Sequence, residues 1–486
     1  MRRKAGLAIA GAGGYEGRNA VGAVRALTKL VAKDGIDLVV MWLGEIDITR
    51  WVDTLKEAAG SGMTPPLYRG MNEAIIYTAA LLDAGRFYAP ILLFDATPTY
   101  RHEEILQRSF ASKVGFRYVG EKPIFVRPET LDFFRSLQDY PIYCNFIETV
   151  NPVYTAVERY LGKHKNLRIR KITLWRAGST GISHYVGDGR GGIQGGSLLD
   201  KAPHDLSISV GWAGGPSRIV ETEVVDADMP YLLVADRAHP FFLNVENKPV
   251  PIDDPSMVRP YLSQRREELP ADGFSWAKLL WRLEDNSKIE GNYAFSWFGL
   301  TDHKAEREIL SELDELGLNK FGVDFHSSFL DSDLNRRSKG GEGEYSYDIR
   351  EVRLGIVHCE YLEGGPPKRL VCNFLGSKHR PELGRFVFAV DDQRFEYRER
   401  KKAKPKDESN YAREKRSELA KVLHQVAQDV FGIKSAPLLS RNATLLVHDA
   451  LLSIQDKALR KLVGDKTEIY RASKDILHGS VRPFRD

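Results

Sequence analysis

Apolar residues near the start of the chain fall into two alternating rhythms. Leu7–Ala10 is a continuous apolar run that reads as a short buried strand. The glycine-rich turn GAGGYEG (Gly11–Gly17) follows, and then Val21, Val24, Leu27, Leu30 and Val31 recur at helical spacing. The exchange repeats downstream. Asp37–Trp42 (DLVVMW) is β-like, Trp51–Ala59 helical, Pro65–Tyr68 a short strand and Asn72–Ala84 helical. Ile91–Phe94 is a strand ending in DATPT, Glu103–Ser112 a helix, and Phe116–Val119 a strand that enters GEKP. Strands alternating with helices predict βαβ units around a parallel sheet.

Beyond about Pro123 the pattern changes. Arg168–Trp175, Ile219–Val225, Lys278–Leu283 and Lys288–Trp297 are longer β-type runs, the last two flanking a hairpin turn at EDNS. Val352–Tyr361 and Phe386–Val390 alternate, with a second hairpin at DDQR. This predicts a large, mostly antiparallel sheet. Leu419, Val422, Leu423, Val426 and Val430 mark an amphipathic helix, and another covers roughly Ala443–Val463. The expected fold class is therefore α/β followed by α+β. The expected domains are 1–123 around the parallel sheet and 124–486 around the antiparallel one, with C-terminal helices at about 410–470.

Composition narrows the class without naming a chemistry. At 486 residues the chain is long enough for roughly two to four folding units. Its 42% hydrophobic and 28% charged residues are ordinary for a soluble globular enzyme. A formal charge of +4 over this length gives no argument for a nucleic-acid partner. Cys144, Cys359 and Cys372 are widely spaced and form no CxxC pair, so neither a metal site nor a disulfide framework is expected. That cysteine usage suits a reducing cytoplasm. No apolar run approaches the roughly 20 residues that span a bilayer, so no membrane association is expected. MRRKAGLAIAGAGG reads as a first strand entering a glycine turn rather than an export signal, because Ala5–Ala10 is too short for one. Arg336–Ser346 reads as a polar glycine-rich loop, and the basic run Arg398–Ser409 as a solvated connection rather than a binding patch.

A strand, a glycine turn and a helix together make an anion-binding device. The turn lets the backbone approach a pyrophosphate, and the helix start offers free N–H groups and a partial positive charge. Gly11 and Gly13 fit the first two positions of G-x-G-x-x-G; Glu16 stands at the third, and Gly17 comes one residue later. The match is a variant, G-x-G-x-x-x-G, read here as a dinucleotide turn in which Gly14, Tyr15 and Glu16 also lie at the cofactor. The ribose-binding acid is sought after the second strand, where Glu45 is the first acid. It lies 34 residues after Gly11, against a usual spacing of about 20. An acid there repels a 2′-phosphate and favours NAD, while the nearby Arg50 keeps NADP open.

Three further segments resemble one family. FDATPTYRHEEI (Phe94–Ile105) is similar to the ATP-x-x-x-H strand–turn of the glucose–fructose oxidoreductase/inositol dehydrogenase (Gfo/Idh/MocA) family. VGEKPIFVRPETLDFF (Val119–Phe134) resembles its E-K-P motif, and GGSLLDKAPHDL (Gly195–Leu206) its G-G-x-L-x-D-x-x-x-H motif, in the family's order. The resemblance runs from about Lys4 to Gly214 and more loosely beyond. The chain departs from the family in the shifted glycine, in Pro203 before the histidine, and in extra length after Gly299.

The resemblance implies a Rossmann NAD(P)-binding domain, a sheet-based substrate domain, and a homodimer or homotetramer. It implies hydride transfer between a secondary alcohol of a sugar, cyclitol or related polyol and a nicotinamide. Oxidising an alcohol needs a base near neutrality and a donor at the reacting oxygen. The resemblance gives these roles to His204 and Lys122, with Asp200 orienting. Ala96, Thr97, Pro98, His102 and Glu121 are read beside the cofactor, and Arg176, Tyr185 and Gln194, which precede the catalytic motif, are read toward substrate hydroxyls. The bland readings stay open beside these. Asp200 is also a fitting helix N-cap with Pro203 in the first turn, and His102 also fits a helix cap. Trp297 reads as core or interface. Two other functions share the same letters: an NAD-dependent glycoside hydrolase working by transient oxidation, and a non-catalytic cofactor-binding regulator.

Overall fold

From Ala5 onward every residue of the first strand, β1 (Arg3–Ala10), is buried, as expected of a strand covered on both faces. In the computed structural model of this chain the described residues are 3–85, 90–177, 196–233, 271–296, 307–309, 311–312, 352–374, 387–391, 394–398 and 409–463. Tyr185, Gln194, Trp297 and the segments 336–346 and 399–408 lie outside them. Two compact units emerge: one formed by Met1–Val150 with Pro405–His448, the other by Asn151–Lys404 with Asp449–Asp486.

The first unit is the expected parallel sheet. After β1 come α1 (Tyr15–Lys33), β2 (Ile36–Gly44), α2 (Trp51–Gly60), β3 (Leu67–Tyr68), α3 (Met71–Asp83) and β4 (Ile91–Asp95). Then follow α4 (Thr99–Ala111), β5 (Phe116–Gly120), α5 (Pro128–Ser136) and β6 (Ile142–Cys144). Strand order is β3-β2-β1-β4-β5-β6, and every pairing is parallel. This is the order of a doubly wound dinucleotide fold, with its reversal point between β1 and β4. Loops leaving the C-terminal ends of β1, β2, β4 and β5 therefore share one edge of the sheet.

The second unit begins with α6 (Pro152–Lys163), β7 (Leu167–Ala177) and α7 (Gly196–Trp212). Its further strands are β8 (Ile219–Leu233), β9 (Ala271–Leu283), β10 (Lys288–Ser296), β11 (Val352–Tyr361), β12 (Lys368–Asn373), β13 (Val387–Val390) and β14 (Arg394–Arg398). They form one sheet in the order β14-β13-β12-β11-β7-β10-β9-β8. Only β7 and β10 pair in parallel; the other pairs are antiparallel. The EDNS hairpin closes through Leu283 N–H accepted by Ser287 C=O nearby at 2.9 Å, with Asn286 at φ 62°. An asparagine tolerates that left-handed conformation better than most residues.

Two C-terminal helices follow, α8 (Ser409–Val430) and α9 (Arg441–Val463). The first unit takes in α8 and the start of α9 through His448. Right-handed crossovers put α1 and α2 on one face of the parallel sheet and α3–α5 on the other. This leaves the flank beside α1 open, and α8 packs there. Leu419, Val422, Leu423 and Val426 are buried, so the predicted apolar stripe is the docking face. Arg416 lies across Gly22, where a Cβ would come 2.6 Å from its Cζ. Its guanidinium reaches Glu57 on α2 at 2.9 Å. His424 Nε2 lies 2.6 Å from the Asp34 carboxylate at the end of α1.

The start of α9 closes the far flank. Arg441 donates to the carbonyls of Phe134, Arg135 and Leu137 at 2.9, 3.0 and 2.8 Å, which satisfies the open end of α5. His448 is fully buried. Its Nε2 accepts the Ile124 N–H at 2.9 Å, while Nδ1 donates to Thr444 C=O at 2.6 Å. Accepting the Ile124 N–H requires the neutral ring, with its proton on Nδ1. Among the described residues no helix is long and apolar enough to cross a membrane.

Burial pushes the His448 pKa down from the ordinary 6.5 to about 4. Above 6.5 the ring is neutral in both folded and unfolded chain, and its contribution to stability is complete. Below that, only the unfolded chain takes the proton, so stability falls as pH drops toward about 4. At about 1.4 kcal/mol per tenfold in proton affinity, the loss approaches about 3 kcal/mol. Thermal unfolding followed against pH is expected to show this slope in the wild type and a flatter one in His448→Gln. Equal slopes would remove His448 as the source.

Candidate functional site

The turn after β1 is built by what its glycines lack. Gly11 has φ 71°, and a Cβ on it would lie 2.7 Å from the Ala96 carbonyl oxygen and the Thr97 nitrogen. A Cβ on Gly13 would meet the Glu45 carboxylate at 2.5 Å. A Cβ on Gly17 would lie 2.0 Å from the Gly11 carbonyl oxygen and 2.6 Å from Ala12 Cα. Gly17 thus performs the close helix–strand packing that the third glycine of the fingerprint performs elsewhere. The extra residue lies between, and α1 still begins at Tyr15 with Gly14 as its N-cap. The Tyr15 side chain lies outside the described residues.

Glu45, 7% exposed, stands just past β2. One carboxylate oxygen accepts Gly13 N–H at 2.6 Å and the other accepts Asp47 N–H at 2.9 Å. The second strand end and the glycine turn are tied by that acid. Arg50, the residue that kept a 2′-phosphate open, pairs with Asp47 at 3.2 Å.

Asp95, the last residue of β4, is fully buried. It accepts Thr97 N–H at 3.0 Å and Thr97 Oγ1–H at 2.6 Å, and its other oxygen accepts the Tyr118 hydroxyl at 2.7 Å. Burial and the facing Asp95 push the Tyr118 phenol well above its ordinary range. Ala96 N–H donates to Ala10 C=O at 3.0 Å, which draws this loop against β1. Pro98 is the N-cap of α4. His102, inside α4 and 1% exposed, has its ring nitrogens 2.7 Å from the carbonyls of Thr97 and Pro123. It ties two site loops together rather than capping the next helix.

Glu121 N–H donates to Asp95 C=O at 3.0 Å, and its carboxylate accepts Asn145 Nδ2–H at 2.6 Å. Burial first, and then the nearby Glu16, push its carboxyl up to about 7. Lys122 is half-buried, and its bond to Pro123 is cis. The chain beyond is held from α4. Glu103, 2% exposed, accepts the N–H groups of Val126 and Arg127 at 2.8 and 2.9 Å. Asp95, Glu103 and Asn145 carry no motif of their own.

In the second unit, Asp200 and His204 are successive half-buried residues of one stripe of α7. The helix is already formed at Gly196, so Asp200 is not its N-cap and Pro203 lies in its interior, not its first turn. That proline cannot donate to the preceding turn. The neighbouring stripe faces the sheet. Ser197 Oγ lies 3.2 Å from Ser275 Oγ and donates to Phe295 C=O at 3.3 Å. Tyr293 donates to Ser209 Oγ at 2.8 Å. Between these, Asp205 meets Arg176 of β7: Nε at 2.9 Å and Nη2 at 2.8 Å, both side chains 4% exposed. Lys201 is also buried, with Nζ 3.9 Å from Asp200. Sequence reasoning named Arg176 but missed Asp205, which nothing local distinguishes from a surface acid.

No family model matches the chain, and no curated protein matches its sequence. Solved structures do match its fold. A myo-inositol dehydrogenase from Corynebacterium glutamicum ATCC 13032 gives a TM-score of 0.50 at 12% identity, over 95% of this chain and 98% of that one. The UDP-N-acetylglucosamine 3-dehydrogenase from Acidithiobacillus ferrooxidans gives 0.50 at 11% identity, over 95% and 99%. A levoglucosan dehydrogenase, solved with NADH and levoglucosan, gives 0.51 at 12% identity, over 94% and 98%. At such identities the likeness is one of fold alone: this chain shares the overall fold of these inositol, UDP-sugar and levoglucosan dehydrogenases.

A buried ion pair that loses one member leaves a charge without compensation, at a cost of about 3–5 kcal/mol. Asp205→Ala is expected to lower unfolding stability by that order, while Arg176→Met with Asp205→Leu recovers most of it. Denaturant unfolding of the full chain measures both. A double variant as unstable as the single one would mean the pair is not what seats α7.

Proposed function

We propose that this chain is an NAD(P)-dependent oxidoreductase that moves a hydride between a secondary alcohol of a sugar, cyclitol or related polyol and the nicotinamide. One observation carries the reading. The backbone of Gly11, Gly13 and Gly17 leaves no room for side chains, and Glu45 at the end of β2 grips that same turn. A cradle of bare backbone at a helix start, with an acid beside it, fits a pyrophosphate and an adjoining ribose diol. Fold likeness to dehydrogenases is consistent with it but does not extend to residues or substrate.

In this reading the free amides at the start of α1 hold the pyrophosphate, with the Gly11–Gly14 turn leaving room for it and Tyr15 and Glu16 beside it. Glu45 takes the ribose hydroxyls. It and Asp47 put two carboxylates where a 2′-phosphate would lie, and Asp47 already engages Arg50, so NAD is favoured over NADP. Ala96, Thr97, Pro98, His102 and Glu121 shape the nicotinamide end. When bound, the nicotinamide supplies the hydride acceptor or donor.

The chain's own groups handle the proton. His204 removes it from the substrate hydroxyl, and Lys122 donates a hydrogen bond to that oxygen as negative charge develops. Asp200, one helical turn before His204, orients the ring or a neighbouring hydroxyl. Arg176 acts through Asp205 by fixing the helix that carries both. Tyr185 and Gln194 remain proposed contacts to substrate hydroxyls.

A panel of sugars, cyclitols and related polyols with NAD, followed by NADH absorbance, tests the activity. At least one is expected to yield NADH, and Lys122→Ala to lower its turnover by about 10²–10⁴-fold with NADH affinity retained. Undiminished turnover would remove Lys122 from the reaction. Glu45→Ala is expected to weaken NAD more than NADP in binding titrations. Equal weakening would move the ribose acid elsewhere.

A further inference from the structure

Glu16 is an odd residue for a phosphate turn. It occupies the second position of α1, where the helix offers its free N–H groups. The partial positive charge of the helix start attracts a carboxylate as readily as a phosphate. An uncompensated Glu16 would therefore both compete with and repel an incoming diphosphate. Glu121 is close enough to be pushed up by Glu16, so two acids face this spot.

A cation from the far end of the sequence meets them. Lys415, on the first half of α8 and 399 residues away, forms an ion pair with Glu16. Its Nζ also pulls the Glu121 carboxyl down. The two side chains of the pair are partly open, Lys415 at 20% and Glu16 at 31% exposure.

Docking of α8 does not need this pair. Arg416 holds Glu57 through two contacts, at 2.9 and 3.1 Å. His424 and Gln428 both engage Asp34, at 2.6 and 2.9 Å. Beneath them runs the buried stripe of Leu419, Val422, Leu423 and Val426. Lys415 lies at the α1 start, beyond the part of the helix that these contacts secure.

We propose that Lys415 is a positioning residue of the dinucleotide site: it draws Glu16 aside from the α1 N-terminus and cancels its charge, so that a pyrophosphate diester can bind there. The proposal rests on the reading of this unit as a dinucleotide-binding domain. It assigns α8 a part in cofactor affinity as well as in packing.

NADH titration of the full-length protein, by fluorescence at low and high salt, tests it. Lys415→Met is expected to raise the NADH Kd roughly tenfold at low salt, with the difference shrinking at high salt as Glu16 is screened. Adding Glu16→Gln to Lys415→Met is expected to restore affinity, and Lys415→Arg to keep it. A purely structural Lys415 would instead lower Tm, leave the Kd unchanged and gain nothing from Glu16→Gln; that pattern overturns the proposal. Wild-type protein that binds no NADH would overturn the dinucleotide reading and this proposal together. A wild type that binds normally beside an unaffected Lys415→Met overturns this proposal alone.

Discussion

Helix α1 comes so close to the turn after β1 that residue 17 has no space for a side chain. That approach sets the rest of the first unit. It holds the turn carbonyl of Gly11 against the helix, where that carbonyl accepts Gly14 N–H at 3.1 Å, and leaves the first amides of α1 without intrahelical partners. It also brings Gly13 within reach of Glu45, so the end of β2 is fixed by the same turn. On the other side, Ala96 N–H bonds to Ala10 C=O and fixes the loop after β4. One steric constraint thus propagates through three strand ends by backbone geometry, before any side-chain chemistry begins.

The loop after β5 is organised differently. It has no glycine cradle, and its backbone groups are claimed one by one by buried side chains. Pro123 C=O meets His102, Ile124 N–H meets His448, and the N–H groups of Val126 and Arg127 meet Glu103. Buried polar groups cost free energy unless paired, so this density of pairing makes a single loop conformation far cheaper than its alternatives. Lys122 sits at the head of that loop. A rigid anchor suits the role proposed for Lys122, because small misplacements at a reacting oxygen are costly to rate.

Much of this architecture is legible in the sequence, and the limits are physical. Periodicity recovers the strands and helices around β1 to β5 because each buries a continuous run or one stripe. It passes over β6, whose three residues are too few to show a period, and α5 and α6, each of which opens on a proline. The shifted fingerprint is readable once Gly17 is taken as the third glycine. Asp200 misleads, since acid, proline and apolar run resemble a helix start, yet the helix is already formed at Gly196. Asp205, His448 and Lys415 carry no local signal at all. Their partners lie 29, 324 and 399 residues away, and only the folded chain brings them together.

Charge shows the same separation between sequence and site. A formal +4 over 486 residues describes the whole chain and hides a strand-end edge crowded with acids. Glu16, Glu45, Asp47, Asp95 and Glu121 all gather there, a poor setting for a diphosphate if they acted as bare charges. They do not, because each is engaged: Glu45 by amides, Asp95 by Thr97 and Tyr118, Asp47 by Arg50, Glu121 by Asn145, Glu16 by Lys415. What remains to greet an anion is the unclaimed positive end of α1. Selectivity at such an edge follows from which acids are neutralised and which keep lone pairs to offer, and among these five Glu45 is the one whose partners are all backbone amides.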